Sequence, residues 1–122
     1  LSEMNKVIDP GKAIAAGFSF GATTAVEATV RPDSPFSAAI LLDGWFHIDV
    51  KESAGIAFDI PSAAFESETV KMGKGLKFPS LFIGSTQFQT FPGLRRATQI
   101  LIGEGASTFV LPNSGHQNFC DV

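Results

Sequence analysis

Apolar residues fall along this chain in short unbroken runs, separated by segments in which they recur at helical spacing. Four such runs stand out, at residues 13–16, 38–42, 78–83 and 108–111, each closed by Gly, Pro or Asp soon after its end. Runs this short and this uniformly apolar predict strands buried on both faces, as in a parallel sheet covered by helices. Between them, residues 20–30 are rich in Ala and Thr and predict a helix closed by Pro32. A second helix is predicted over 94–102, stopped by Gly103-Glu104-Gly105. Leu1, Met4, Val7 and Ile8 share helical spacing, and Asp9-Pro10-Gly11 ends that segment, because a residue before proline is biased away from helix. Residues 49–77 are less regular, with a helix read over 62–72. Strands alternating with helices make the fold class α/β: about four parallel strands flanked by helices.

Composition narrows the class. The chain has 122 residues, 44% of them apolar, which suits one domain with a hydrophobic core. Twelve Phe and no Tyr favour an apolar core or pocket. A net charge of −3 and the lack of any basic stripe exclude a nucleic-acid partner. The pair Arg95-Arg96 reads as a solvated helix face. No apolar run approaches the roughly 20 residues that span a bilayer, so no transmembrane segment is expected. No stretch of these residues reads as a signal peptide. Cys120 is the single cysteine and has no internal disulfide partner.

In α/β sheets, ligands bind beyond the carboxyl ends of the strands. Three residues with the chemistry of acyl transfer fall there: Ser19 after the first strand, Asp43 after the second, His116 after the fourth. The order Ser, Asp, His is that of α/β-hydrolases. Ser19 sits in Gly17-Phe18-Ser19-Phe20-Gly21, where a strand must turn sharply into a helix to expose the hydroxyl. Both glycines are read as leaving room where strand and helix crowd. The helix start aims its free N–H groups and positive dipole at an oxyanion. Asp43 would fix the histidine's tautomer, and His116 would carry the proton. Ser19 and Asp43 also have a plainer reading, as turn residues. Asp49 and Asp59 are alternative acids, but neither follows directly on a buried run. His47, among Trp45, Phe46 and Ile48, reads as a packed residue. Two histidines and one cysteine show no metal-ligand spacing. Gly73-Lys74-Gly75 lacks a phosphate-loop pattern, and Cys120 reads as a small inert side chain.

Gly17-Phe18-Ser19-Phe20-Gly21-Ala22-Thr23, Leu42-Asp43-Gly44-Trp45 and Gly115-His116-Gln117-Asn118-Phe119 together resemble the platelet-activating-factor acetylhydrolases of the α/β-hydrolase type. The segments Phe78-Pro79-Ser80-Leu81-Phe82-Ile83 and Gln87-Phe88-Gln89 look similar to that family too. The resemblance implies Ser19 as nucleophile, Asp43 as acid, His116 as base and the Phe20 backbone N–H in the oxyanion hole. It makes Phe18, Trp45, Phe46, Gln117 and Phe119 the substrate-pocket candidates. The implied reaction is calcium-independent hydrolysis of a short or oxidised sn-2 acyl ester of a glycerophospholipid, at a lipid or lipoprotein surface, with no cofactor and no metal. Three positions depart from the family: Phe18 stands for a usual His, Ala22 for a usual Gly, and Cys120 for a small residue. Family members carry several strands before the nucleophile. Residues 1–122 are therefore expected to be the C-terminal half of the fold, one partial catalytic domain, with a second oxyanion donor on an earlier segment. Two other readings keep the same residues: a general short-chain carboxylesterase or lipase, and a family member without turnover.

Overall fold

The apolar runs become β1 (Ala13–Phe18), β2 (Phe36–Leu42), β5 (Ser80–Ser85) and β6 (Ala106–Leu111) in the computed structural model of the chain. The structure describes residues 9–49, 57–59 and 67–120. These four strands form one sheet in the order β1-β2-β5-β6, with every neighbouring pair parallel. The chain is thus α/β, with helices flanking a parallel sheet, as its pattern predicts. Helix α1 (Phe20–Val30) crosses from β1 to β2. A short helix, α3 (Thr86–Gln89), and then α4 (Pro92–Leu101) connect β5 to β6. Both long helices fall close to their predicted bounds. Pro92 occupies the first turn of α4, where its missing N–H costs nothing.

The register aligns Ala15 with Ala39, Leu41 with Phe82 and Phe82 with Thr108, so these side chains share one face of the sheet. Ala22, Ala25 and Val26 of α1 and Ala97 and Leu101 of α4 join Ala15, Ala39, Leu41 and Phe82 in a single buried core. Among the described residues, both long helices therefore cover the same face. The alternate positions form the other face, and there Ile14 is 53% exposed and Phe109 61%. Among the described residues, neither long helix lies on that face. A run of apolar residues is the same whether one face or two are packed, and the pattern carries no signal to separate the cases.

Two further differences concern the irregular middle. Residues 47–49 and 57–59 form an antiparallel ribbon, β3 (His47–Asp49) and β4 (Ala57–Asp59), that no hydrophobic pattern announces. Of the helix read over 62–72, the described part is α2 (Glu68–Lys71). The helix read over 1–8 lies outside the described residues.

Candidate active site

The strand-to-helix turn after β1 is the foundation of the site. Ser19 has φ 57° and ψ −123°, a backbone region that costs a side-chain-bearing residue about 1–3 kcal/mol. It is held there from three sides. Its N–H donates to the Leu42 carbonyl at 3.0 Å, and its carbonyl accepts from Ala22 N–H and Trp45 N–H, each at 3.1 Å. Gly17 is essential to the turn, because a Cβ there would lie 2.0 Å from the Gly21 carbonyl oxygen. Gly21 is different: a Cβ there meets nothing within 4 Å. Only one of the two glycines is required by crowding, which corrects the reading of both. Phe20 opens α1, so its N–H has no acceptor within the helix and is free for a ligand.

Asp43 follows β2 with a second unusual backbone, φ 44°. Its N–H donates to the Ile83 carbonyl at 2.7 Å, continuing the ladder between β2 and β5 past the strand end. The carboxylate is fully buried and accepts from Ser85 twice: the backbone N–H reaches Oδ1 at 2.6 Å and the hydroxyl reaches Oδ2 at 2.7 Å.

His116 lies in a single 3₁₀ turn, His116–Phe119, beyond β6. Its Nδ1 is 2.9 Å from Asp43 Oδ2 and its Nε2 is 3.0 Å from Ser19 Oγ. A carboxylate oxygen only accepts, so Nδ1 carries the proton and Nε2 offers its lone pair to the Ser19 hydroxyl. The three residues singled out in the sequence thus meet in one hydrogen-bonded line. Aromatic rings enclose the imidazole. Phe88 stacks on it with centroids 4.3 Å apart and planes 9° apart, Phe18 lies tilted at 4.6 Å, and Trp45 meets it edge-on at 5.8 Å.

The other sequence candidates divide. Phe18 and Trp45 touch the His116 ring directly, and Phe119 lies 6.1 Å from Phe18. Phe20, half-exposed, stacks on Trp45 at 5.3 Å. Phe46, by contrast, is 1% exposed and packs on Phe82, which makes it part of the core. Gln117 is exposed, and its side-chain oxygen accepts from Cys120 Sγ at 3.2 Å. His47, Asp49 and Asp59 fall on the β3–β4 ribbon. A cavity of about 180 Å³ between α4 and the sheet is lined by Asp43 but by neither Ser19 nor His116.

The structure brings into the site three neighbours to which the sequence alone assigns no role. Ser85 holds the Asp43 carboxylate, Phe88 stacks on the His116 ring, and the Gln87 side-chain oxygen accepts from His116 N–H at 2.8 Å. Their sequence signals are position and, for Gln87 and Phe88, the likeness of Gln87-Phe88-Gln89 to the family noted above. They follow Gly84 at the end of a predicted strand, the same edge of the sheet as Ser19 and Asp43. Among the described residues, no group of three or more His, Cys, Asp or Glu side chains is arranged to hold a metal ion. No described helix is long and apolar enough to cross a membrane.

A protein-family model described as platelet-activating factor acetylhydrolase, isoform II, matches residues 1–122. No curated protein and no solved structure matches the chain.

Proposed function

We propose, from the premise that the chain belongs to the platelet-activating factor acetylhydrolase isoform II family, that Ser19, Asp43 and His116 are the triad of a serine esterase. The family is one of phospholipase-type esterases. The finer reading is hydrolysis of the sn-2 acetyl, or short or oxidised acyl, ester of a glycerophospholipid like platelet-activating factor. What supports it above all is the continuous line Ser19 Oγ, His116 Nε2, His116 Nδ1, Asp43 Oδ2, with links of 3.0 and 2.9 Å. All of residues 1–122 are assigned to one α/β-hydrolase catalytic domain.

In this reading Ser19 Oγ attacks the ester carbonyl while its proton passes to His116 Nε2. The Phe20 N–H, at the positive end of an eleven-residue helix, faces the developing oxyanion. The C–O bond to glycerol then breaks, and the leaving lysophospholipid alkoxide takes the proton from Nε2. Water, deprotonated by the same nitrogen, releases the acyl group and restores Ser19. Asp43 keeps the imidazole in the tautomer each step needs and stabilises it when charged. The aromatic surroundings of the base, Phe18, Phe88 and Trp45, exclude water and favour an apolar acyl chain. The half-exposed Phe20, stacked on the partly buried Trp45, gives a lipid an apolar approach to the nucleophile.

Two measurements test this. A fluorophosphonate probe should label the protein, and Ser19→Ala should abolish labelling. The protein should also prefer a short-chain sn-2 phospholipid to a simple nitrophenyl ester. Equal turnover of the two would leave a general carboxylesterase, and absence of labelling in the native protein would remove the triad reading altogether.

A further inference from the structure

Ser85 is fully buried at the end of β5, 0% exposed, and every polar atom of its side chain is committed. Its hydroxyl oxygen accepts from Phe88 N–H at 3.1 Å, capping α3. A hydroxyl has one proton, and with Phe88 on the accepting side that proton points to Asp43 Oδ2, 2.7 Å away. The Ser85 N–H meanwhile reaches the other carboxylate oxygen at 2.6 Å. Two donors from one residue grip both oxygens of the acid, and Oδ2 is the oxygen that receives His116 Nδ1.

We propose that Ser85 is a positioning residue for the triad, acting on His116 through Asp43. This rests on the reading of Ser19, Asp43 and His116 as a catalytic triad. The backbone N–H alone leaves the carboxylate free to swing about its last torsion. The hydroxyl fixes its plane, so that Oδ2 stays in line with the imidazole. Because the same hydroxyl caps the turn that carries Phe88, the stacking ring and the acid are set by one atom. In the free protein this keeps the base in place before substrate arrives, which is where preorganisation acts.

The test compares Ser85→Thr, which keeps the hydroxyl, with Ser85→Val, which has the same size without it. Any cost of the extra bulk is common to both, so their difference reads the hydroxyl. Two quantities are measured: kcat and KM on a short-chain sn-2 phospholipid, and the downfield proton resonance of His116 Nδ1–H. Ser85→Val should lower kcat about 10–100-fold relative to Ser85→Thr with KM unchanged, the size found when a group orienting a functional side chain is removed. Its Nδ1–H resonance should shift or broaden while that of Ser85→Thr stays. Equal kcat in the two variants, or a resonance unmoved by Ser85→Val, overturns the proposal. The resonance is read without turnover, so an inactive native protein would count against the triad reading alone, and the spectrum would still decide the role of Ser85.

Discussion

The two glycines of the nucleophile turn should respond in opposite directions to the same substitution. In Gly17→Ala the new methyl lies 2.0 Å from the Gly21 carbonyl oxygen, 2.2 Å from its carbon and 2.6 Å from Ala22 N. All three atoms are backbone, so no rotamer change relieves the contact. The start of α1 must retreat by about 1 Å to reach even the tightest tolerated separation, and overpacking of this kind costs about 1–3 kcal/mol. That retreat moves Ser19 and the Phe20 N–H with the helix. A displacement of about 1 Å between reacting groups lowers the rate on the order of 10²-fold. In Gly21→Ala the methyl meets nothing within 4 Å. The residue lies inside α1, and its φ is not among the positive ones, so alanine fits the backbone. Replacing a helical glycine by alanine should add about 0.5–1 kcal/mol of stability. Urea unfolding gives the two stabilities, and the rate of fluorophosphonate inactivation gives the geometry of the nucleophile. Shifts of the same sign in both variants, or a native inactivation rate in Gly17→Ala, would refute the steric account of the turn.

Other outcomes follow from the same geometry. Asp43→Asn should lower kcat on the order of 10⁴-fold, because the amide favours the wrong imidazole tautomer; a loss under tenfold, measured on the sn-2 phospholipid, would remove Asp43 from the triad. Phe46→Ala should cost about 3–5 kcal/mol in urea unfolding, since Phe46 is 1% exposed in the core. Phe109→Ala, at a position 61% exposed, should stay within about 0.5 kcal/mol. If the two phenylalanines cost the same, the assignment of the covered and open faces of the sheet is wrong.

What the sequence discloses, and what it withholds, follows from the range of the interactions involved. Four apolar runs bounded by turn residues specify four strands, and the helices between them force those strands to be parallel. Once the strands are placed, their carboxyl ends pick out Ser19, Asp43 and His116 from residues that otherwise read as turns. The β3–β4 ribbon is silent because three-residue strands are too short to establish a period. Phe46 reads as a pocket residue beside Trp45, yet successive residues diverge, and Trp45 faces His116 while Phe46 enters the core. Gly21 reads like Gly17, although crowding depends on which way each Cβ points. The roles of Ser85, Gln87 and Phe88 go unread for a different reason. Their roles exist only through partners 42, 29 and 28 residues away along the chain, and nothing local in Gly84-Ser85-Thr86-Gln87-Phe88 announces an acid or a base.

Those three residues resolve a problem that the topology itself creates. The sheet order β1-β2-β5-β6 sets Ser19 beyond the first strand, Asp43 beyond the second, Ser85 at the end of the third and His116 beyond the fourth. His116 lies between Ser19 and Asp43, hydrogen-bonded to both, yet its strand lies beyond β5. With strands about 4.8 Å apart, the connection must bring the imidazole back across roughly 10 Å of sheet edge. The loop turns at Asn113, with φ 54°, and is then fastened to α3, the turn it passes over. Ser114 accepts at its carbonyl from the Thr86 hydroxyl at 2.8 Å and from Gln87 N–H at 3.2 Å, and its own N–H donates to the Thr86 hydroxyl at 3.0 Å. The Gln87 side chain takes the His116 N–H, and Phe88 supplies the surface on which the ring lies. Ser85 closes the circuit by holding the acid from the same turn. The third strand contributes no member of the proposed triad, but it carries the bracket that lets the second and fourth strands bring their residues to Ser19.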